Sequence, residues 1–169
     1  DGEPYTGVSV MRVERAMDAG PVALARRLAI GPEETTGELT RRLSHLTAEL
    51  LLEALEAIST REITWTEQDH ANASVAPKID RADARIDWAR DTQTCVRQVQ
   101  AMAPRPGAFT TIREQPGGED TPLRILRARP EPPSGAATPS PGEVRLGDDP
   151  EAPPLRVGTG DGWLVPLEI

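Results

Sequence analysis

The stretch AMDAGPV, residues 16–22, places an acid, a glycine and a proline close together. Asp18 carries a carboxylate that could exchange a proton, and the stretch lies between two segments with the pattern of β-strands. The ordinary explanation is a turn, since Asp tolerates turn conformations and Gly20 supplies a positive φ. A two-residue hairpin turn needs only Asn-Gly or Asp-Gly, so the additional residues leave a chemical role for Asp18 open.

The other side chains that could act as nucleophiles or metal ligands lack suitable partners. Cys95 is the single cysteine, and its neighbours Val96 and Val99 predict a buried, inert thiol that forms no internal disulfide. His45 and His70 are the two histidines, and they lie too far apart in the sequence to have metal-ligand spacing. We therefore expect no metal centre.

The composition is that of an acidic protein of one or two small domains. The 169 residues include 27 Asp and Glu against 19 Lys and Arg, a formal net charge of -8. This balance argues against a non-specific binder of polyanions, although a local basic strip is compatible with it. The sequence contains neither a run of about 18 to 20 apolar residues nor a charged-then-apolar leader. We therefore expect a cytoplasmic protein without membrane contact.

Two strands and a long helix are predicted in residues 1–67. Alternation of apolar and polar residues predicts strands at 7–14 and 22–30. Thr35 followed by Glu38 has the pattern of a capping box. Because two strands are too few to cover a long amphipathic helix, we expect further elements of an α/β domain upstream. The apolar residues that follow at helical spacing are Leu39, Leu43, Leu46, Leu50, Ala54 and Ile58.

A linker and a short helix are predicted next. Residues 68–88 are polar, lack strong periodicity and contain Pro77, which predicts a linker with a helical turn at 81–85. Apolar residues on one side of 92–102 predict a short helix, and the sequence PRPG that follows predicts its end.

The last part of the chain, residues 89–169, is predicted to form a small antiparallel barrel or sandwich. Its proline-rich residues 130–154 predict loops, with a tighter β-turn at 146–150. Turn residues separate short predicted strands at 108–112, 123–128, 142–146, 155–159 and 163–169.

Four short motifs occur in a characteristic order around the predicted helix. They are AMDAGPV at 16–22, ARIDW at 84–88, PGAFT at 106–110 and GTGDG at 158–162. With these separations, the set resembles the methionyl-tRNA formyltransferase family over nearly the whole chain. The resemblance implies an α/β + β fold: the C-terminal part of a Rossmann-like formyltransferase domain, a linker, and an OB-like small β-barrel.

The resemblance also implies a reaction. The family transfers a formyl group from 10-formyltetrahydrofolate to the amino group of methionyl-initiator-tRNA in translation initiation. The amine attacks the formyl carbon, an oxyanion develops and a proton leaves the nitrogen, so the site needs oxyanion donors and a proton-handling group. The family's catalytic aspartate corresponds to Asp18, which would orient a histidine and stabilise its charged form. The residues expected near the folate are Arg15, Ala16, Met17 and Gly20.

The sequence departs from the family pattern in three places. The catalytic Asn-x-His of the family is missing from these residues, and neither histidine matches it. The family usually continues beyond the final residues LVPLEI, and Arg105 replaces a tryptophan of the family's Asn-Pro-Trp-Pro sequence. We therefore expect a fragment with a truncated barrel that does not transfer formyl groups by itself.

A basic linker and barrel face bind tRNA in the family. The arginines and the single lysine in the corresponding segments predict contacts with phosphates. The alternative is a solvated surface in which these side chains pair with Asp80, Asp83 and Asp87. The residues concerned are Lys78, Arg81, Arg85, Arg127 and Arg129.

Two other functions are compatible with the same motifs. One is an amino-sugar or other folate-dependent formyltransferase or hydrolase, because AMDAGPV and ARIDW do not separate these enzymes. The other is a non-catalytic module that binds tRNA. In either case we expect a monomer.

Overall fold

The structure, a computed structural model, divides the chain into two compact units. It describes residues 2–113, 118–133, 138–147 and 155–169. Of the described residues, unit 1 comprises Gly2, Glu33–Gly37 and those within Ile79–Ile169, and unit 2 comprises Glu3–Pro32 and Glu38–Lys78. Unit 2 thus holds most elements predicted for the first part of the chain, and unit 1 those predicted for the second.

Unit 2 contains two antiparallel strands, β1 (Tyr5–Met11) and β2 (Val22–Ala29). Both lie where alternation predicted strands, but β1 begins and ends earlier than the predicted 7–14. A register irregularity between Val10 and Met11 disturbs the ladder where the chain enters the connecting loop. The residues after Met11 therefore belong to the loop that carries the AMDAGPV stretch.

Helix α1 (Thr36–Ser59) follows β2 and begins directly after Thr35, where the capping-box pattern predicted a start. Within unit 2 the helix lies beside β2, because the Arg26 guanidinium is 2.6 Å from the Glu53 carboxylate. This ion pair is exposed and marks the position of the helix without contributing much to its stability. The buried members of the predicted apolar stripe are Leu50 and Ala54.

Helix α2 (Thr92–Met102) is the helix of unit 1. The Asp91 carboxylate accepts a hydrogen bond of 2.8 Å from the Thr94 amide and so caps the N-terminus. The helix ends before the first proline of PRPG, which confirms the predicted end. Its predicted apolar side is buried, namely Cys95, Val96, Val99 and Met102.

The strands of unit 1 form two sheets. β3 pairs with β4, and the larger sheet has the order β5-β8-β7-β6. The single strand predicted at 123–128 is therefore wrong, since Leu126 separates two strands of different sheets. Its amide donates to the Glu168 carbonyl at 2.9 Å, which redirects the chain into the second sheet. The strands are β3 (Ala108–Ile112), β4 (Thr121–Ile125), β5 (Arg127–Glu131), β6 (Val144–Leu146), β7 (Leu155–Gly158) and β8 (Trp163–Glu168).

Both sheets of unit 1 contribute to one hydrophobic core. Ala108 from β3, Ile125 from β4 and Leu164 from β8 meet the buried side of α2 there. The hydrogen bonds of the described strands nevertheless form separate sheets and do not close into a barrel. Of the predicted loop region, residues 134–137 and 148–154, with most of the β-turn predicted at 146–150, lie outside the described residues. No helix in the described part of the chain is long and apolar enough to span a membrane.

Candidate functional site

Residues 16–21 of the AMDAGPV stretch lie in the loop between β1 and β2, residues 12–21, which we call the Asp18 loop. The Arg12 amide donates to the Pro21 carbonyl at 3.0 Å and closes the base of the loop. Gly20 is buried beside this closure, and a Cβ there would overlap the Arg12 carbonyl oxygen. Gly20 is thus required because the backbone approaches closely and not, as the turn interpretation proposed, for a positive φ.

Asp18 has the positive φ of this loop, 52°. Aspartate tolerates the left-handed region better than most residues, because its short polar side chain creates little conflict with the backbone. The side chain is exposed, and no hydrogen bond or ion pair engages its carboxylate among the described residues. The loop therefore presents a carboxylate that is available to a substrate or to another catalytic group.

The residues predicted to contact folate form the exposed tip of the same loop. Arg15, Ala16 and Met17 are all exposed, and the Met17 side chain is 89% accessible. The tip thus presents the apolar side chain of Met17 beside the open carboxylate of Asp18. Of the predicted folate residues only Gly20 is buried, at the base of the loop.

Gln68 holds the Asp18 loop and was not recognised from the sequence as a functional residue. Its Nε2 donates to the Asp18 carbonyl at 2.9 Å and to the Gly20 carbonyl at 2.6 Å. The sequence interpretation placed Gln68 at the start of the polar linker 68–88. A local pattern does not reveal such a contact, because its two partners are about fifty positions upstream.

The segment that carries Gln68, residues 65–68, is itself attached to unit 2. Thr66 and Val22 exchange two backbone hydrogen bonds, each of 2.8 Å. The Arg12 guanidinium lies 4.5 Å from the centroid of the Trp65 ring, a distance suitable for a cation–π contact. The amide of Gln68 therefore reaches the loop from a segment that is paired to the sheet.

Cys95 is buried and His45 lies in a helix, as the sequence predicted. Burial is the main cause that raises the pKa of the Cys95 thiol to about 11, and nearby Asp91 adds to the effect. The thiol is therefore protonated and unreactive near neutral pH. His45 lies on the exposed side of α1, and His70 lies in a short 3₁₀ helix, His70–Asn72. In the residues that the structure describes, no three His, Cys, Asp or Glu side chains form a group that could hold a metal ion.

The basic residues predicted to contact tRNA are mostly exposed. Lys78, Arg81, Arg85 and Arg129 are exposed, whereas Arg127 is half-buried with its Nε 3.5 Å from a Glu168 carboxylate oxygen. Four of the five thus present a charge to solvent.

The aspartates proposed as their alternative partners bind backbone amides instead. Asp80 accepts from the Ala82 amide at 2.6 Å, and Asp83 accepts from the Asp80 amide at 2.8 Å. Asp87 accepts from the Ala89 amide at 3.1 Å. These bonds include those that stabilise the turn predicted at 81–85, so the carboxylates form no ion pairs with the neighbouring arginines in the described residues.

An open groove of about 970 Å³ in unit 1 brings three arginines together. Arg81, Arg105 and Arg124 line it, and Arg81 lies 5.7 Å from the centroid of the Phe109 ring on the same wall. None of the three guanidinium groups has an ion-pair partner among the described residues, although Asp80 also lines the groove. The groove combines cations with an aromatic face, which suits phosphates and bases.

The motif GTGDG supports helix α2. The Asp161 carboxylate accepts from the amide and from the hydroxyl of Thr92, both at 2.7 Å, and these hydrogen bonds lower the pKa of Asp161. The Thr92 hydroxyl also lies 2.6 Å from that of Thr159. The motif therefore fixes the start of α2 on the sheet and does not by itself offer a chemical site.

The motif ARIDW fixes the segment after the basic turn. Ile86 donates its amide to the Phe109 carbonyl at 2.9 Å, and Phe109 donates to the Ala84 carbonyl at 2.8 Å. The Trp88 indole donates to the Thr110 hydroxyl at 3.0 Å. The motif thus joins the segment to β3.

Comparison with known families covers both units. The profile of the formyl transferase C-terminal domain matches residues 78–169, more than half of the chain. The chain belongs to the formyl transferase family. A second profile, described as formyl transferase, matches residues 1–55. The Asp18 loop therefore lies in the segment that matches one profile, and the three arginines of the groove lie in the segment that matches the other.

Curated formyl transferase relatives are similar over most or all of the chain. A methionyl-tRNA formyltransferase from Rubrobacter xylanophilus is 43% identical over 169 residues, which are 100% of this chain and 52% of that protein. Another from Parvibaculum lavamentivorans is 43% identical over 143 residues, 85% of this chain and 44% of that protein. The chain thus spans about half the length of these relatives.

Two solved structures share the fold of the chain. HypX from Aquifex aeolicus in complex with tetrahydrofolic acid superposes with a TM-score of 0.70 at 28% identity, covering 97% of this chain and 27% of that chain. WlaRD, a sugar 3N-formyl transferase, superposes with a TM-score of 0.66 at 13% identity, covering 99% of this chain and 56% of that chain. The second likeness concerns the fold alone.

Proposed function

We propose that this protein acts in the transfer of a formyl group from 10-formyltetrahydrofolate to the amino group of methionyl-initiator-tRNA. The observation that carries the proposal is the 43% identity to a methionyl-tRNA formyltransferase over all 169 residues. Because the chain spans about half of that relative, the activity is assigned to the protein expressed from its complete native gene. Translation initiation then implies a cytoplasmic protein, and we propose that it acts as a monomer without a metal.

Asp18 is proposed as the catalytic carboxylate. In the reaction, the amine nitrogen forms a bond to the formyl carbon, the bond from that carbon to N10 of the folate breaks, the amine loses a proton and N10 gains one. A fixed carboxylate can hold a neighbouring imidazole in the tautomer that accepts this proton and can stabilise its charged form. The open carboxylate of Asp18 supports this role, since no group in the described residues competes for it.

The tip of the Asp18 loop is proposed to contact the folate. The exposed residues Arg15, Ala16 and Met17 offer backbone polar groups beside an apolar side chain. Such a combination fits a pterin ring, whose edge carries donors and acceptors and whose faces are flat. Gly20 lets the loop base close against Arg12 and so supports this tip.

For tRNA, we propose contacts through Lys78, Arg81, Arg85, Arg127 and Arg129, together with the arginine groove. Support comes from the exposed guanidinium groups and from aspartates that cap the basic turn instead of pairing with it. Arg105 and Arg124 extend this surface beyond Arg81. The overall charge of -8 makes a local cluster of this kind the necessary route to phosphate binding.

We further propose that the described units are the corresponding parts of a Rossmann-like domain and an OB-like barrel. For the barrel, support comes from the single core shared by β3, β4, β5 and β8. It also comes from Leu126, which alone separates β4 from β5.

The deciding experiment measures formyl transfer by the protein expressed from its complete native gene. Methionyl-initiator-tRNA and a nucleotide-linked amino sugar are offered separately, each with 10-formyltetrahydrofolate. Formylation of the tRNA with little turnover of the sugar is expected. Turnover of the sugar alone would assign the protein to the sugar N-formyltransferases. Salt-dependent tRNA binding without turnover of either acceptor would indicate a binding module.

A further inference from the structure

From the contacts of unit 2, we infer that Gln68 is a positioning residue, which holds the Asp18 loop so that the carboxylate faces its reacting partners. The inference rests on the proposed function, because it assigns Gln68 to the same site. Gln68 does not touch the substrate in this proposal. It acts through the backbone of the loop.

The amide of Gln68 bonds to the loop on both sides of Ala19. Its two Nε2 protons reach the carbonyl oxygens of Asp18 and Gly20, at 2.9 Å and 2.6 Å. One planar amide group therefore fixes the peptide that follows Asp18 and the peptide that follows Gly20. Because Asp18 has a φ of 52°, a small rotation of these peptides would redirect its side chain.

The segment that carries the Gln68 side chain is itself attached to unit 2. Residues 65–68 are tied to β2 by the paired hydrogen bonds of Thr66 and Val22, and Trp65 lies against the Arg12 guanidinium at the loop base. The Gln68 amide is also 3.9 Å from the Met11 sulfur at the end of β1. The Gln68 amide is thus connected to both strands that carry the loop, to β2 through Thr66 and to β1 through Met11.

The two hydrogen bonds of Gln68 matter more for the orientation of the Asp18 side chain than for the folding of unit 2. Asp18 is exposed, so water could satisfy its carbonyl if Gln68 were replaced, whereas the bond to the Gly20 carbonyl is partly buried and its loss should lower the stability of unit 2. The pairing of β1 with β2 does not involve Gln68, so we expect unit 2 to remain folded with a loop that samples several orientations. Small displacements of a catalytic group reduce turnover strongly, by as much as about 100-fold for 1 Å.

The test compares Gln68→Leu and Gln68→Glu with the wild-type protein from the complete native gene. Gln68→Leu removes both donors at similar size, and we expect kcat to fall about 10- to 100-fold with KM for tRNA within about two-fold. Relative to the wild type at the same pH, Gln68→Glu is expected to be most impaired at high pH, where its carboxylate repels both carbonyls, and to recover in part as the pH is lowered, because the protonated acid supplies one donor in place of two. Recovery of kcat with an unchanged circular dichroism spectrum over the same pH range distinguishes positioning from a merely structural role.

Gln98→Leu is the matched control. Gln98 makes the same type of contact in unit 1, where its Nε2 donates to the Asp83 carbonyl at 2.7 Å and to the Arg85 carbonyl at 2.9 Å. We expect Gln98→Leu to retain the wild-type kcat at saturating tRNA. Any effect of the substitution should appear in KM for tRNA. A loss of kcat equal to that of Gln68→Leu would overturn the inference.

A measurement without catalysis separates this inference from the proposed function. The Arg12 amide, which donates to Pro21 across the loop base, should exchange its hydrogen faster in Gln68→Leu than in the wild type. Unchanged exchange, or wild-type kcat in Gln68→Leu, contradicts the positioning role. If the wild-type protein formylates no acceptor, the proposed function fails, and the exchange result alone decides whether Gln68 holds the loop.

Discussion

Gln68 in unit 2 and Gln98 in unit 1 make the same kind of hydrogen bonds to the backbone. The two backbone segments that they bind differ in the other contacts that hold them. Each donates both Nε2 protons to two backbone carbonyls of an upstream segment. The segment held by Gln98 is also bonded to Phe109 on β3, through the amide and carbonyl of neighbouring residues. Apart from the Gln68 bonds, the described residues close the Asp18 loop at its base, through Arg12 and Pro21, and its tip is exposed.

The comparison teaches that one type of contact can have different importance in two places. Residues 83–86 are held by several bonds, so the Gln98 amide is one support among many. Its Oε1 is even buried without a hydrogen-bond partner among the described residues, which offsets part of its contribution. In the Asp18 loop the Gln68 amide is a principal restraint, and the group it restrains is the candidate catalytic carboxylate.

The largest expected effect is that of Asp18→Asn in the protein from the complete native gene. The amide has almost the same size but cannot hold a charged imidazole, so kcat should fall by about 10³- to 10⁴-fold while the protein remains folded. Steady-state kinetics and circular dichroism check both parts. Asp69→Asn is the matched control, since Asp69 caps the short 3₁₀ helix of unit 2 and asparagine also caps. Near-wild-type turnover in Asp18→Asn would make Asp18 a turn residue only.

Gly20→Ala should disturb the same loop through its base. The added Cβ would overlap the Arg12 carbonyl oxygen, and we expect a loss of stability of about 1–3 kcal/mol, measured by thermal unfolding. Ala16→Gly at the exposed tip should change stability by less than about 0.5 kcal/mol. Equal effects of the two variants would show that the close approach at Gly20 is unimportant.

Arg124→Ala tests unit 1 and should affect binding instead of turnover. Removal of one guanidinium from the groove should weaken tRNA binding about 3- to 10-fold and reduce the slope of log affinity against log salt by about 1. Arg113→Ala is the control, because that guanidinium is already 2.7 Å from the Asp120 carboxylate. If both variants bind tRNA like the wild type, the groove is not part of the tRNA surface.

The smallest effect concerns Cys95 in the core of unit 1. Since burial raises the pKa of its thiol to about 11, alkylation by iodoacetamide at pH 8 should be much slower in the native protein than after unfolding. A raised pKa also means that its contribution to stability is complete below the ordinary value of 9.0 and is lost as the pH rises toward 11. Rapid labelling of the native protein would show that the thiol is accessible.

The family and most elements could be predicted from the sequence because their signals are local. The capping pattern before α1, the proline-rich end of α2 and the alternation in β1 and β2 all involve residues a few positions apart. The four motifs identified the formyl transferase family by their order alone, although GTGDG and ARIDW have structural roles here. Secondary-structure propensity and hydrophobic periodicity arise within a single helix or strand, so both can be recognised from the sequence before the fold is known.

The sequence by itself determined that Asp18 follows a strand, that α1 is amphipathic and that Cys95 is an inert thiol. Only the tertiary structure decided which residue holds the Asp18 loop, that the chain changes sheets at Leu126, and that Arg81, Arg105 and Arg124 share one groove. Each of these depends on contacts between residues distant in sequence. A donor such as Gln68 has many acceptors available in an unfolded chain, and only the packing of strands selects two of them.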